Sequence, residues 1–247
     1  MSERRLNWDG CLNVRDLGGH PTDDGGATRF RSIVRADSVA SLSDDGWHAA
    51  LEYGVSTVID LRLQQERDAD VPREVPIETL HIPAFTDWDE HVQAEIDALS
   101  DSAADAVGST TAVYLDFLER FRANFAAGVA AVANAGDGAV VIHCHGGKDR
   151  TGLLAALLLR LAGVSIDDIA EDYSLSEVYL QPRHEEWFAQ AANEEELQRL
   201  QRIAATPAEA MRRVLTEVER QHGSVAAYLE GGGATPEDLE RARARLR

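Results

Sequence analysis

Lysine is nearly missing from this chain. Of the 24 basic side chains in 247 residues, 23 are arginine, and the single lysine is Lys148. Basic charge is short as well, since 43 acidic residues leave a formal net charge of −19. A surface this negative repels nucleic acid and anionic membranes, both of which are bound mainly through Lys and Arg at phosphates. A phosphate-bearing substrate would have to be drawn by a local positive site, because the overall field opposes it. Cysteine is scarce too: Cys11 and Cys144 cannot build a disulfide framework. No apolar run reaches the roughly 18–20 residues of a spanning helix. The opening Met1–Asp9 has two arginines but no apolar stretch, so the expectation is a cytoplasmic protein with no signal peptide and no stable membrane anchor.

What is present reads as globular. Apolar residues make up 44% and charged residues 27%, which rules out disordered, collagen-like and coiled-coil chains. Val55–Leu61 and Ala139–His143 are short, β-branched and nearly continuous, as strands buried on both faces should be. Leu80–Pro83 is a weaker strand, ended by its proline, and edge strands fit Cys11–Leu17 and Ile33–Val34. Ser43 caps an acidic first turn ahead of Trp47–Tyr53. Helical spacing extends over Thr111–Asn134, with Tyr114, Phe117, Leu118, Phe121 and Phe125 as a core stripe. Helices follow at Thr151–Ala162, Ile166–Leu180, Glu194–Ala204, Ala208–His222 and Pro236–Leu246, with a break at Gly231–Gly233. Thr86–Ser109 is acidic and poor in apolar residues, and reads as a helical insertion or flap over one face.

The chemistry concentrates where a buried strand opens into a glycine-rich turn and then a helix. The turn reads His143-Cys144-His145-Gly146-Gly147-Lys148-Asp149-Arg150-Thr151-Gly152. Such a turn aims successive N–H groups at one spot and adds the positive end of the helix dipole, which makes an anion site. Arg150, six residues after Cys144, offers a planar fork that matches phosphate oxygens. The dipole and this arginine favour the Cys144 thiolate, and a thiolate beside a bound phosphate is a nucleophile aimed at phosphorus. A Walker A loop fails here, because Ile142 stands five before Gly147 and Asp149 follows Lys148. No Gly-x-Gly-x-x-Gly follows a strand, and adjacent His143, Cys144 and His145 point to opposite faces, which disfavours a metal. Neither cofactor nor metal is expected.

The C-x5-R-[ST] spacing resembles the signature of cysteine-dependent phosphatases. The longer string His-Cys-x-x-Gly-Lys-Asp-Arg-Thr-Gly is similar to that of the atypical bacterial tyrosine/phosphoinositide phosphatase family. Asn13-Val14-Arg15-Asp16-Leu17-Gly18-Gly19, Val58–Arg62 and His222–Leu229 fit the same family and occur in its order. The resemblance implies that Cys144 forms a phosphocysteine and that Arg150 and the N–H groups from His145 through Gly146, Gly147, Lys148 and Asp149 hold the phosphoryl oxygens. It gives Thr151 the departing thiolate as partner, lets His143 help keep Cys144 ionised, and makes Lys148 a second cation suited to substrates with more than one phosphate. A carboxylic acid must protonate the leaving oxygen. Asp87, just after the third strand, is favoured, with Asp149 second and Asp89 close enough to compete.

Other residues have blander readings. Cys11 reads as a small buried apolar side chain. Arg15 and Asp16 either bridge the turn at Gly18-Gly19 or shape the site, and Asp60 and Arg62 either shape the loop floor or touch substrate. His20, His81, His91, His184 and His222 have no constellation, and Glu194–Glu196 is a solvated first turn. The expected fold is a single α/β domain over residues 1–247. It has a small, largely parallel sheet carrying the cysteine loop at a strand's carboxyl end, helices on both faces, and C-terminal helices over 194–247. The expected activity is metal-independent phosphomonoester hydrolysis on phosphotyrosine, phosphoserine/threonine or phosphoinositides. The competing readings are a phosphate- or phosphopeptide-binding module without turnover and, less suited to Arg150 and Thr151, a sulfurtransferase. Oligomeric state is left open.

Overall fold

The computed structural model describes residues 4–71 and 73–247, so Met1–Glu3 of the segment read as leaderless lie outside the described residues. Five strands form one sheet: β1 (Arg15–Asp16), β2 (Ile33–Ala36), β3 (Val55–Asp60), β4 (Glu78–His81) and β5 (Ala139–His143). Their order is β1-β2-β5-β3-β4, parallel throughout except for the antiparallel β1. All five residues of β5 are buried, because it lies at the sheet centre with both faces covered. Alternate side chains divide the core. Ile33, Ile59, Val140 and Ile142 face one apolar cluster, while Val34, Val58 and Val141 face the other.

The smaller cluster is closed by α1 (Asp44–Tyr53), through Trp47 and Ala50. Ser43 caps it by accepting from Gly46 N, as its sequence predicts. Against the other face pack α4 (Ala106–Arg120), α5 (Arg122–Asn134), α6 (Arg150–Leu161), α7 (Ile166–Tyr179), α10 (Ala208–His222), α11 (Val225–Gly231) and α12 (Pro236–Leu246). The remaining helices are α2 (Gln64–Arg67), α3 (Glu90–Ser102), α8 (Gln181–Phe188) and α9 (Glu194–Ala204). No described helix is long and apolar enough to cross a membrane.

One reading of the sequence changes. The single helix expected over 111–134 is two, α4 and α5, which meet at Phe121 in a non-helical conformation (φ −112°, ψ 27°). The apolar period continues through the join because both helices face the same core, so spacing alone hides the break. The acidic 86–109 segment is largely helix α3 and the start of α4. Its few apolar residues, Val92, Ile96 and Leu99, fall at helical spacing and pack on the core. The helices α2, α8 and α11 carry too little periodic signal over four to eight residues to be read in advance.

Candidate active site

β5 delivers Cys144 to the carboxyl edge of the sheet, and α6 begins at Arg150. Between them the loop is gripped from outside by its carbonyls. Ser38 N donates to the His145 carbonyl at 3.0 Å, Asn13 Nδ2 to that of Gly146 at 3.0 Å, and Arg35 Nη2 to that of Gly147 at 2.8 Å. Three successive carbonyls turned outward leave the N–H groups facing the other way. Among the described residues, no N–H from His145 to Asp149 has a protein acceptor. This is a cup of donors at a helix N-terminus with Cys144 at its base, an arrangement that can hold an oxyanion against Sγ.

Gly147 makes the turn possible. Its φ is +66°, and a Cβ there would stand 2.4 Å from the Ala36 carbonyl oxygen. Gly147→Ala is therefore expected to twist the cup and lower kcat/KM about 10²-fold, or roughly 3 kcal/mol of transition-state stabilisation. Steady-state kinetics on p-nitrophenyl phosphate, with the thermal midpoint as a folding control, checks it.

A buried ionic core sets the outer grip. Asp172 of α7 takes Arg15 Nε at 3.1 Å and Arg35 Nη1 at 3.0 Å, with His20 Nε2 at 3.7 Å. Arg15 Nη1 donates to Asn13 Oδ1 at 2.6 Å, so Asn13 is oriented with its amide toward Gly146. Burial works against the Asp172 carboxylate, but Arg15, His20 and Arg35 hold its pKa well below the usual range. Burial and neighbouring Arg15 push Arg35 down to about 10, still charged at neutral pH. Arg15 is thus a site-shaping residue, and Asp16 is a turn residue. Its carboxylate accepts from Gly18 N, Arg31 N and Tyr53 Oη. Arg35 and Asp172 carry no motif of their own, and an arginine inside a four-residue buried strand was the available signal.

Arg150 is half-engaged already. Its guanidinium meets the Glu66 carboxylate at 2.5 and 2.8 Å and lies under the Phe85 ring, 5.6 Å from the centroid. Burial raises the Glu66 pKa, yet the Arg150 pair outweighs it and the net shift is downward. Asp60 and Arg62 prove to be a buried structural pair below the loop: Arg62 Nη2 meets Asp60 at 2.8 Å and Asp70 at 2.6 Å. Burial raises Asp60, but Arg62 and His143 bring it down to about 2.

Lys148 Nζ donates to the Ile203 carbonyl at the end of α9 and lies 3.3 Å from Asp149 Oδ1, so it is tied down and not a free second cation. Thr151 Oγ1 is buried without a partner among the described residues, so no bond to Cys144 Sγ is made in this structure. His143 faces the Cys144 carbonyl and Asp60, and its pKa falls because burial penalises the imidazolium. Burial thus disfavours the charged ring, whose contacts are a backbone carbonyl and a carboxylate. Cys11 is only half-buried and donates to the Ser38 carbonyl, with burial and Asp37 pushing its thiol up.

The carboxyl candidates separate by their partners. Asp89 caps α3, accepting from His91 N and Val92 N, and these bonds lower its pKa. A proton donor is poorly served by that role. Asp149 Oδ1 accepts from Tyr114 Oη at 2.7 Å. Asp87 is exposed, has no side-chain partner among the described residues, and adopts φ +52°, a strained value for a non-glycine residue. Its neighbours Phe85 and Trp88 stack at 5.0 Å, and the first of them covers Arg150. The loop bearing Asp87 thus borders the arginine. The walls of the cleft include a pair of helices: α8 contributes Arg183 and Trp187, and α9 ends at Ala204 beside Cys144 and His145, around about 450 Å³. A second cleft of about 320 Å³ opens on the other side of Arg150, walled by Glu66, Phe85, Trp88 and Phe117.

The sequence model of the tyrosine phosphatase family matches residues 6–247. The chain belongs to that family. The phosphatase is 30% identical over 228 residues to a tyrosine-protein phosphatase of Nostoc commune, covering 87% of this chain and 74% of that one. It is 25% identical over 277 aligned positions to the triple specificity protein phosphatase PtpB of Mycobacterium tuberculosis, covering 98% of each. The α/β fold expected from the resemblance is the fold observed, with its cysteine loop at the carboxyl end of the central strand.

Proposed function

We propose that this phosphatase hydrolyses phosphomonoesters through a phosphocysteine, without a metal ion, on phosphotyrosine and on further phosphoesters. The supporting observation is the outward grip on the carbonyls of His145, Gly146 and Gly147, which frees the loop's N–H groups for phosphoryl oxygens. The Cys144 thiolate attacks phosphorus as the bond to the leaving oxygen breaks, and Asp87 gives that oxygen its proton. Water then attacks phosphorus, Asp87 takes the water's proton, and the sulfur leaves as thiolate with inorganic phosphate as product. Arg150 and the N–H groups hold the equatorial oxygens through both steps. Thr151 Oγ1, unpartnered in the structure, turns to the departing sulfur. Phosphoserine, phosphothreonine and phosphoinositides belong to the proposed range because the cleft beside the loop, about 450 Å³, is walled by Arg183 and Trp187 as well as by the loop itself. The wide range in the name of the mycobacterial relative agrees with this.

Leaving groups test the acid. Asp87→Asn is expected to slow an alkyl phosphate by about 10²-fold or more, while p-nitrophenyl phosphate, whose phenolate hardly needs a proton, changes little. Equal losses on both substrates would move the acid to Asp149. Turnover should persist in EDTA, and wild-type protein that binds phosphate but turns nothing over would support the binding-module reading.

A further inference from the structure

The chain's arginines are mostly paired with carboxylates, as the acid surplus makes easy. Among the described residues, Arg5, Arg29, Arg31, Arg122 and Arg245 form no ion pair. Arg5 lies over the Tyr179 ring, and Arg122 over that of Tyr228. The other three converge on one cleft of about 400 Å³, which Ser32, Asp137 and Arg241 also line. Arg29 Nη2 donates to the Ala244 carbonyl and Arg31 lies over the Tyr53 ring. Arg245 donates to the carbonyls of Ala135, Gly136 and Gly138. Arg241 and Arg245 are one turn apart on α12, a like-charge spacing that costs a helix stability. Arg241 is paired with Glu237 and Asp238, and Asp137 is the carboxylate in the cleft. Burial lowers the Arg245 pKa, Asp137 raises it and Arg29 lowers it further, which puts Arg29 and Asp137 both within electrostatic reach of Arg245.

In a molecule of net charge −19, three guanidinium groups in one concavity with no carboxylate at ion-pair distance among the described residues, and Asp137 the single acid lining it, make the cleft receptive to an anion. The position matters. Ser32 and Gly138 immediately precede β2 and β5, whereas the cysteine loop follows β5. Five residues of strand separate the two places by roughly 15 Å, so one phosphate cannot occupy both.

The geometry points to a second oxyanion site at the amino ends of β2 and β5, where Arg29, Arg31 and Arg245 receive a phosphate group. Free phosphate and a phosphate monoester present the same oxygens to these forks. The site does not depend on the proposed reaction.

Titration of the ¹⁵N-labelled full chain with inorganic phosphate, followed through backbone amides, tests it. Two groups should shift with separate midpoints: 145–150 at the loop, and 31–33 with 137–139 at the distal cleft. In the Arg29→Ala/Arg31→Ala variant, the distal midpoint should rise at least tenfold while the loop response and turnover are unchanged. Both side chains are exposed, and an Arg29→Lys/Arg31→Lys variant keeps the charge should the alanine variant fold poorly; it should weaken the distal midpoint less than alanine does. Chloride at matched ionic strength should leave the distal group still. Phosphotyrosine moving that group as phosphate does extends the site to monoesters, and no such movement restricts it to the free ion. Shifts confined to 145–150, distal shifts that survive the alanine variant, or equal shifts with chloride would each overturn the proposal.

Discussion

Replacing Cys144 by serine is expected to lower turnover of p-nitrophenyl phosphate by at least about 10⁴-fold while leaving phosphate affinity within about threefold. The asymmetry follows from the division of labour at the loop. In the proposed reaction phosphate is held by Arg150 and by N–H groups whose direction is set by the bonds that Ser38, Asn13 and Arg35 make to the loop carbonyls. Those donors are untouched by exchanging sulfur for oxygen, so the anion still finds its cup. The attack is different, because an un-ionised hydroxyl is a far weaker nucleophile than a thiolate. Of the two flanking imidazoles, His143 faces the Cys144 carbonyl, and burial disfavours the cationic form of both His143 and His145. Rapid quenching of the wild-type enzyme with substrate, then mass spectrometry, should place a phosphoryl adduct on Cys144. Residual turnover above about one per cent in the variant would remove Cys144 as the nucleophile.

Asp172→Asn is the second large effect, and it reaches the site without touching substrate. The substitution leaves Arg15 and Arg35, both essentially inaccessible to water, with no anionic partner. Breaking a buried ion pair from one side costs about 3–5 kcal/mol, because the surviving charges stay desolvated. For a domain of this size the thermal midpoint should fall by roughly 10 °C. The pH dependence carries a sign. The carboxylate is held well below its unfolded value, so its contribution is full above about pH 5 and fades as pH falls toward the folded pKa. The wild type should therefore lose stability on acidification more steeply than the variant between about pH 4 and 2, which calorimetry across pH would show. Far below the variant's midpoint, kcat should still be depressed, since Arg35 no longer holds the Gly147 carbonyl squarely. A variant that melts early yet turns over normally when folded would reduce Asp172 to a purely structural residue.

The loop itself was legible in advance because its chemistry is contiguous. Cys144, Gly147 and Arg150 lie within one turn of chain, and strand and helix on either side announce themselves by composition. The supports were not legible, because they act across the fold. Arg35 reads as a charge spoiling a strand, Asp172 as one acidic residue among several on a helix, and Glu66 as part of a four-residue helix with no periodicity. Lys148 shows the opposite failure. Its rarity drew attention to it, but only the fold brings the Ile203 carbonyl to its amine. The break at Phe121 was hidden because both helices bury the same face.

The hydrogen bonds that shape the loop span great lengths of chain: Asn13 reaches Gly146 across 133 residues, and Arg35 reaches Gly147 across 112. Arg15 and Asp172, 157 residues apart, close the circle. Contacts of this range form late, since the cost of closing such loops comes before their reward. A chain emerging from the ribosome therefore carries its cysteine and arginine for some time before α7 arrives to lock the cup. Until that helix docks, Arg15 and Arg35 lack their carboxylate, so the grip on the loop carbonyls cannot be completed before the chain has been made through Asp172.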